Sequence, residues 1–93
     1  MKISVFGMGY VGAVCSGCFA KDGHHVVGVD PQQIKVELIN KGKSPIIEEG
    51  LEELIAAGVS SGNLKALQSA CVAVKETDIS IICVGTPSKK MEV

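Results

Sequence analysis

Apolar residues follow two patterns along the chain: short continuous runs, and longer stretches in which they recur every three or four positions. Continuous runs are typical of buried strands, and recurrence at three and four is typical of helices with one apolar face. The runs predict strands over residues 2–6, 26–30, 64–67 and 79–84. The recurring stretches predict helices over residues 10–21, 31–41, 51–57 and 69–75. The small and polar residues over 58–63 predict a turn.

The larger apolar residues of each predicted helix define the face that we expect to point into the core. In the first helix this face holds Val11, Val14, Cys15, Cys18 and Phe19. In the second helix it holds Ile34, Leu38 and Ile39, and in the third Leu51, Leu54 and Ile55. The last strand, over 79–84, is apolar except for Ser80 and has the composition of an interior strand of a parallel sheet.

Strands that alternate with helices predict the fold class. Such a chain forms right-handed βαβ units, which build an α/β fold of the Rossmann type, a doubly wound parallel sheet. We expect about four strands in the order 3-2-1-4. The 93 residues are enough for one domain at most. Because nothing follows to cover the far edge of strand 79–84, we expect residues 1–93 to be an incomplete N-terminal part of a longer enzyme.

The first strand leads directly into a glycine-rich segment of the form GxGxxG. Gly7 permits a tight turn, Gly9 lets the backbone approach a pyrophosphate, and Gly12 lets the following helix pack close to the strand. The amides of Tyr10 and Val11 then point at the pyrophosphate from the positive end of the helix dipole. A glycine pattern by itself is a weak signal among 11 glycines, but its place between a strand and a helix strengthens it.

An acidic residue at the end of the second strand completes the pattern. Asp30 lies 18 residues beyond Gly12, close to the spacing at which an acid accepts hydrogen bonds from the adenosine ribose. A carboxylate there repels the 2′-phosphate of NADP, and the sequence contains no arginine to neutralise that phosphate. We therefore predict NAD as the cofactor.

The turn after the last predicted strand is a further candidate contact. If the fourth strand lies beside the first, Gly85, Thr86 and Pro87 meet the glycine-rich segment in one crevice. The Thr86 hydroxyl would then hydrogen-bond the dinucleotide. An ordinary turn at the end of a strand remains the alternative.

Several motifs, in order along nearly the whole chain, resemble the UDP-glucose/GDP-mannose 6-dehydrogenase family. They are Gly-Met-Gly-Tyr-Val-Gly at 7–12, Gly-Val-Asp at 28–30, Lys35, the loop at 44–51 and Val-Gly-Thr-Pro at 84–87. The resemblance implies NAD contacts at Tyr10, Val11, Asp30, Lys35 and Thr86. One departure is visible, since the family usually has proline where this chain has Glu49.

The resemblance also implies an activity. Members oxidise the C6 alcohol of a nucleotide sugar to a carboxylate in two NAD-dependent steps, through a thioester on a catalytic cysteine that lies beyond residue 93. Cys15, Cys18 and the segment 83–90 are most similar to the members that act on GDP-mannose, which implies alginate precursor synthesis. The resemblance further implies a nucleotide-sugar substrate bound mainly by the missing part, and a homo-oligomeric full-length enzyme. No catalytic residue is expected within the 93 residues.

The composition argues against several classes of binding partner. A net charge of −1, no arginine and 3% aromatic residues disfavour nucleic acid. The four cysteines lack the spacing of a zinc site, so we expect no metal, with Cys15, Cys18 and Cys83 as small buried residues in a reducing cytoplasm. Residues 3–20 carry no charge and resemble a signal peptide, but four glycines interrupt them, and we expect neither export nor a membrane span.

Three other functions stay open on the residues alone. UDP-glucose 6-dehydrogenase shares the same motifs. A β-hydroxyacid dehydrogenase shares the glycine-rich segment, but the loop at 44–51 and the Thr-Pro-Ser ending at 86–88 argue against it. A stand-alone regulatory Rossmann module would bind NAD without turnover.

Overall fold

The computed structural model describes residues 1–83, which contain all eight predicted elements. The strands are β1 (Lys2–Phe6), β2 (His25–Val29), β3 (Leu64–Leu67) and β4 (Ile79–Ile82). The helices are α1 (Tyr10–Lys21), α2 (Gln33–Asn40), α3 (Leu51–Ser60) and α4 (Ala70–Glu76). Across this described range, no helix has both the length and the apolar character needed to cross a bilayer.

The four strands form one parallel sheet in the order β3-β2-β1-β4, which confirms the predicted fold class and topology. β1 is central, with Val5 opposite Gly28 of β2 on one side and Ile81 of β4 on the other. Since all strands run in one direction, their carboxyl ends share one edge of the sheet. The glycine-rich segment after β1 and the acid after β2 therefore emerge side by side.

Helices cover the two faces of the sheet unequally. On one face, α1, α2 and α3 pack against β1, β2 and β3 in the larger core, which includes Val5, Val26, Ile39, Ile55 and Leu64. On the other face, only α4 is present in the described range, and its Ala73 packs with Val27 and Val29. The larger hydrophobic core therefore lies on the face covered by α1, α2 and α3, and the smaller one lies on the face covered by α4.

The prediction of the inward face of α1 was right in part, since Val14 and Phe19 are half-buried against the core, and wrong for Val11 and Cys18. The buried residues of α1 are Gly12, Ala13, Ser16, Gly17 and Ala20, whereas Val11 and Cys18 are exposed. Close approach explains this choice, because a Cβ on Gly17 would come within 2.6 Å of the Leu54 side chain in α3. The small residues let α1 lie tightly on its neighbours, so the face is selected by shape rather than by hydrophobicity.

The predicted turn over 58–63 and the predicted inward face of α2 also need correction. α3 continues through Gly58 to Ser60, and the chain turns instead at Gly62, where φ is +84°. Gly58 serves close packing within the helix, since a Cβ on it would lie only 3.1 Å from Ala20 and from Leu64. In α2, Ile39 is buried but Ile34 is 67% exposed. The prediction of a helix in this segment was right, but the buried face of α2 is narrower than expected.

The last strand is shorter in the described residues than predicted, and its far edge is uncovered, as expected. β4 ends at Ile82, Cys83 lies after it, and residue 84 is outside the described residues. Within residues 1–83, β4 pairs with β1 alone. Ile79 is 44% and Ile82 is 65% exposed, so a strand with the composition of a sheet interior lies at an open edge.

Candidate functional site: the glycine loop and Asp30

The glycine loop, residues 7–12, turns sharply where β1 ends and α1 begins. Gly7 has a φ of +96°, a value that side-chain-bearing residues rarely adopt, and its N–H donates to the Val29 carbonyl at 2.8 Å. A Cβ on Gly12 would collide with the carbonyl oxygen of Gly7. These two glycines therefore build the turn by allowing the helix to start directly against the strand.

The buried side chain of Met8 holds the glycine loop against the sheet. Its side chain is fully buried and lies on Gly28 of β2, where an added Cβ would come within 2.8 Å of the Met8 sulfur. The Ser16 hydroxyl donates to the same sulfur at 3.7 Å. Met8 thus connects the loop to β2 and α1, and Gly28 leaves the space that it fills.

Asp30 follows β2 and holds both the loop and the start of the next segment. It is only 5% exposed. Its Oδ2 accepts a hydrogen bond from the Met8 N–H and its Oδ1 accepts one from the Gln32 N–H, each at 2.9 Å. The Lys35 ammonium lies 3.9 Å from Oδ2 and balances the charge. A carboxylate has about four acceptor positions, so Asp30 keeps capacity for a ligand hydroxyl beyond these two bonds.

The start of α1 has the properties of an anion site. No side chain among residues 1–83 caps this helix, and its first turn carries no acidic residue. Tyr10 and Val11 are both more than half exposed. A Cβ built on Gly9 would meet no described atom within 4 Å, which leaves open space in front of the backbone. Uncapped amides at a helix start fit the negatively charged pyrophosphate of a dinucleotide.

A parallel sheet of this order, with a glycine loop after β1 and an acid after β2, defines a dinucleotide-binding domain of the Rossmann type. Residues 1–92 match the model of the UDP-glucose/GDP-mannose dehydrogenase family, NAD binding domain. The chain belongs to this family, and its cofactor is NAD, as the sequence predicted.

Individual relatives agree with this assignment. GDP-mannose 6-dehydrogenase of Pseudomonas syringae pv. syringae is 59% identical over 90 residues, which cover 97% of this chain and 20% of the relative. UDP-glucose 6-dehydrogenase of Rhizobium meliloti is 46% identical over 97% of the chain and 21% of the relative. The solved GDP-mannose dehydrogenase of Pseudomonas aeruginosa superimposes with a TM-score of 0.93 at 55% identity, over 98% of this chain and 21% of that one. The chain thus spans about a fifth of the length of these relatives.

The fold brings most of the predicted site residues together at one edge. Gly7, Gly9 and Gly12 form the loop, Asp30 bonds to it, and Lys35 pairs with Asp30. Tyr10 and Val11 stand at the exposed start of α1. The prediction for Thr86 falls outside the described residues.

Sequence reasoning missed three supporting residues: Met8, Ser16 and Gly28. A signal was present in the sequence, since Met8 is a large apolar residue between two glycines of the loop. The Gly28 that precedes Asp30 by two positions, on the same strand, offers the space. That the Met8 side chain fills the space at Gly28 is visible only from the packing of the loop on β2.

The expectation of three buried cysteines was wrong for Cys18, which is exposed, and Cys15 and Cys83 are half-buried. Burial is the largest cause that raises the pKa of the Cys83 thiol, followed by the charge of Cys15 and a hydrogen bond with it. In the described part of the chain, no three His, Cys, Asp or Glu side chains lie together as a metal site.

Proposed function

We propose that this chain is the NAD-binding part of a nucleotide-sugar 6-dehydrogenase that oxidises GDP-mannose to GDP-mannuronic acid, with two NAD per turnover, for alginate precursor synthesis. The observation that carries the proposal is the 59% identity to a GDP-mannose 6-dehydrogenase over 97% of the chain. The corresponding value for a UDP-glucose 6-dehydrogenase is 46%. UDP-glucose is therefore the second candidate substrate.

The proposed cofactor site uses both ends of the glycine loop. The amides of Tyr10 and Val11 bind the pyrophosphate, because Gly9 leaves the surface open and α1 has no cap among residues 1–83. Asp30 accepts hydrogen bonds from the adenosine ribose, and Lys35 supports it from 3.9 Å. Thr86 is proposed as a contact from the turn after the last strand. NAD supplies the hydride acceptor for alcohol oxidation.

The contacts of Asp30 support its proposed role in selecting NAD over NADP. Two backbone N–H groups and Lys35 hold the carboxylate in one position, so it cannot swing away from a 2′-phosphate. Two negative groups at hydrogen-bond distance repel one another strongly when water is excluded. The sequence has no arginine that could neutralise a 2′-phosphate, which leaves lysine for that role.

The rest of the enzyme is proposed to lie beyond residue 93. The chain spans about a fifth of its relatives, and Ile79 and Ile82 of β4 are exposed although strands of this composition are usually covered. We infer that later strands and helices cover β4, and that the catalytic cysteine and sugar-binding residues belong to that part. A homo-oligomer in the cytoplasm is the proposed form of the full-length enzyme.

The test is a turnover assay on the full-length protein with GDP-mannose or UDP-glucose and with NAD or NADP. We expect GDP-mannose and NAD to give the highest kcat/KM, with two NADH formed for each sugar oxidised. Asp30→Ala is the companion variant, for which we expect the preference for NAD over NADP to shrink by about tenfold, as loss of one charge contact predicts.

Other outcomes would replace the proposal with a defined alternative. A higher kcat/KM with UDP-glucose would assign the protein to that substrate. NAD binding without oxidation of either sugar would favour a regulatory module. Equal or better binding of NADP would contradict the role given to Asp30.

A further inference from the structure

Two cysteines from distant parts of the sequence meet beside the glycine loop. Cys83 follows β4, and its N–H donates to the Phe6 carbonyl at 2.7 Å, which fixes it next to the end of β1. A Cβ on Gly12 would lie 3.5 Å from the Cys83 Cβ. Cys15 lies one helical turn after Gly12, on the same side of α1. Both cysteines are half-buried and neither is in a disulfide.

We propose that Cys15 and Cys83 are a site of reversible oxidation by a peroxide, and that the disulfide they form weakens NAD binding. The part about NAD rests on the function proposed above, whereas formation of the disulfide does not. The bond would join the second turn of α1 to the residue after β4, beside the glycine loop where the dinucleotide is proposed to bind.

The chemistry balances with a peroxide as the oxidant. The Cys15 thiolate attacks one peroxide oxygen and the O–O bond breaks. Hydroxide is the leaving group, and Cys15 becomes a sulfenic acid. The Cys83 thiolate then attacks the Cys15 sulfur, the S–S bond forms, the S–O bond breaks, and a second hydroxide leaves. The two thiol protons convert both hydroxides to water. A small thiol reductant reverses the reaction by exchange.

The other cysteines fit this chemistry less well. Cys18 is exposed on the same helix, three residues from Cys15. Cβ atoms at this helical spacing are about 5–6 Å apart, beyond the roughly 3.5–4.5 Å that a disulfide needs, so a bond between them would distort α1. Cys71 is exposed on α4, which packs on the opposite face of the sheet. Cys15 and Cys83 lie on separate elements, so a bond between them does not have to close across one turn of a single helix.

The structure also indicates how a disulfide would affect the cofactor. Gly12 packs so closely that a Cβ on it would collide with the Gly7 carbonyl and lie 3.5 Å from the Cys83 Cβ, so α1 cannot approach β4 without moving the loop. The bond brings the two sulfurs to about 2.05 Å and must shift one of these elements. A shift of the start of α1 misplaces the amides of Tyr10 and Val11. Burial raises the pKa of the Cys83 thiol, so little thiolate is present at neutral pH, and disulfide closure should become faster as the pH increases.

The experiment treats the full-length protein with hydrogen peroxide, blocks the remaining thiols, and maps disulfide-linked peptides by mass spectrometry. We expect a link between the peptides that contain Cys15 and Cys83, which dithiothreitol removes. Calorimetric titration should show NAD binding about five- to tenfold weaker after oxidation, within the usual range of coupling between sites. Full recovery is expected after reduction.

Two single variants separate the proposal from a general effect of oxidation. Cys18→Ser is the matched control on the same helix, and it should keep both the link and the loss of NAD affinity. Cys83→Ser should lose the link and keep its NAD affinity after peroxide.

A link between Cys15 and Cys18, an intermolecular link, or no link would overturn the proposal. If the 15–83 link forms with no change in NAD affinity, the regulatory part is overturned and the oxidation site stands. If the reduced protein does not bind NAD, the proposed function fails instead.

Discussion

The two neighbours of β1 in the sheet are both apolar parallel strands, yet they lie in different environments. In β2, four of five residues are buried, and its end supplies Asp30 to the glycine loop. In β4, no residue is fully buried, and Ile82 is 65% exposed. Sequence composition alone does not separate the two strands. Among the described residues, the side of the sheet at β2 is therefore well covered, and the side at β4 is open.

The difference extends to the hydrogen bonds at the two strands. Asp30, after β2, is buried and holds the Met8 N–H at 2.9 Å. Asp78, just before β4, is exposed and accepts from the Lys2 N–H at 3.2 Å. The same side chain makes the same kind of bond in both places. Water competes with the second bond and not with the first, so their contributions to stability should differ.

The largest effect is expected where the loop and α1 touch. Gly12→Ala places a Cβ against the Gly7 carbonyl, which cannot move without breaking the turn. We expect a loss of more than about 3 kcal/mol in the free energy of unfolding, as in severe overpacking, together with loss of NAD binding. Thermal unfolding and calorimetric titration measure the two effects.

Gly9→Ala is the matched control in the same loop. Gly9 has a φ of −80°, which alanine adopts freely, and the space around its Cβ is open among the described residues. Stability should therefore change by less than about 0.5 kcal/mol. NAD affinity should still fall, because the new methyl group stands where the pyrophosphate approaches. A destabilisation equal to that of Gly12→Ala would contradict the geometry of the loop.

The second effect compares β1 with β4 directly. Val5→Ala removes buried side-chain volume from the central strand and should cost about 2–3 kcal/mol in any form of the protein. Ile82→Ala should cost less than about 0.5 kcal/mol in the 93-residue chain, because Ile82 is largely exposed. Chemical denaturation measures both variants.

The same pair of variants sharpens the comparison in the full-length protein. If later elements cover β4, Ile82→Ala should become as destabilising as Val5→Ala there, judged by local hydrogen exchange of β4. An unchanged, small effect in the full-length protein would contradict the inference that β4 lies inside a larger sheet.

The smallest of these effects concerns the two aspartates. Asp30→Asn weakens the bond to the Met8 N–H and should cost about 1–2 kcal/mol in stability, with NAD binding about tenfold weaker. Asp78→Asn changes the exposed counterpart and should leave both quantities nearly unchanged. Unfolding curves and NAD titrations of the two variants test this. Equal effects would mean that burial of Asp30 has no energetic consequence.

Much of the fold follows from the sequence because its signals are local. Apolar runs and turn residues placed all eight elements, and the alternation of strands and helices predicted the order 3-2-1-4. The inward face of α1 followed only in part, since Gly12, Ser16 and Gly17 face the core by fitting closely to neighbours that are distant in sequence. The open edge of β4 did follow, because the sequence analysis found no later strand within the 93 residues to cover it.

The candidate site was predicted to a similar degree. The spacing of the glycines and Asp30 identified a loop and an acid that the structure places in contact. Spacing does not reveal that Met8 fills the space above Gly28 or that Asp30 holds two backbone N–H groups. These features arise from packing between β1 and β2, which is visible only in three dimensions.

NAD is proposed to bind at the carboxyl edge of the sheet, on the glycine loop and Asp30. Hydrogen–deuterium exchange of the protein with and without NAD tests it most directly, because it reports on each segment separately. We predict slower exchange with NAD in peptides that cover residues 7–13 and 30–36, and no change in residues 60–66 at the opposite edge. Protection of residues 60–66, with residues 7–13 unaffected, would contradict the account.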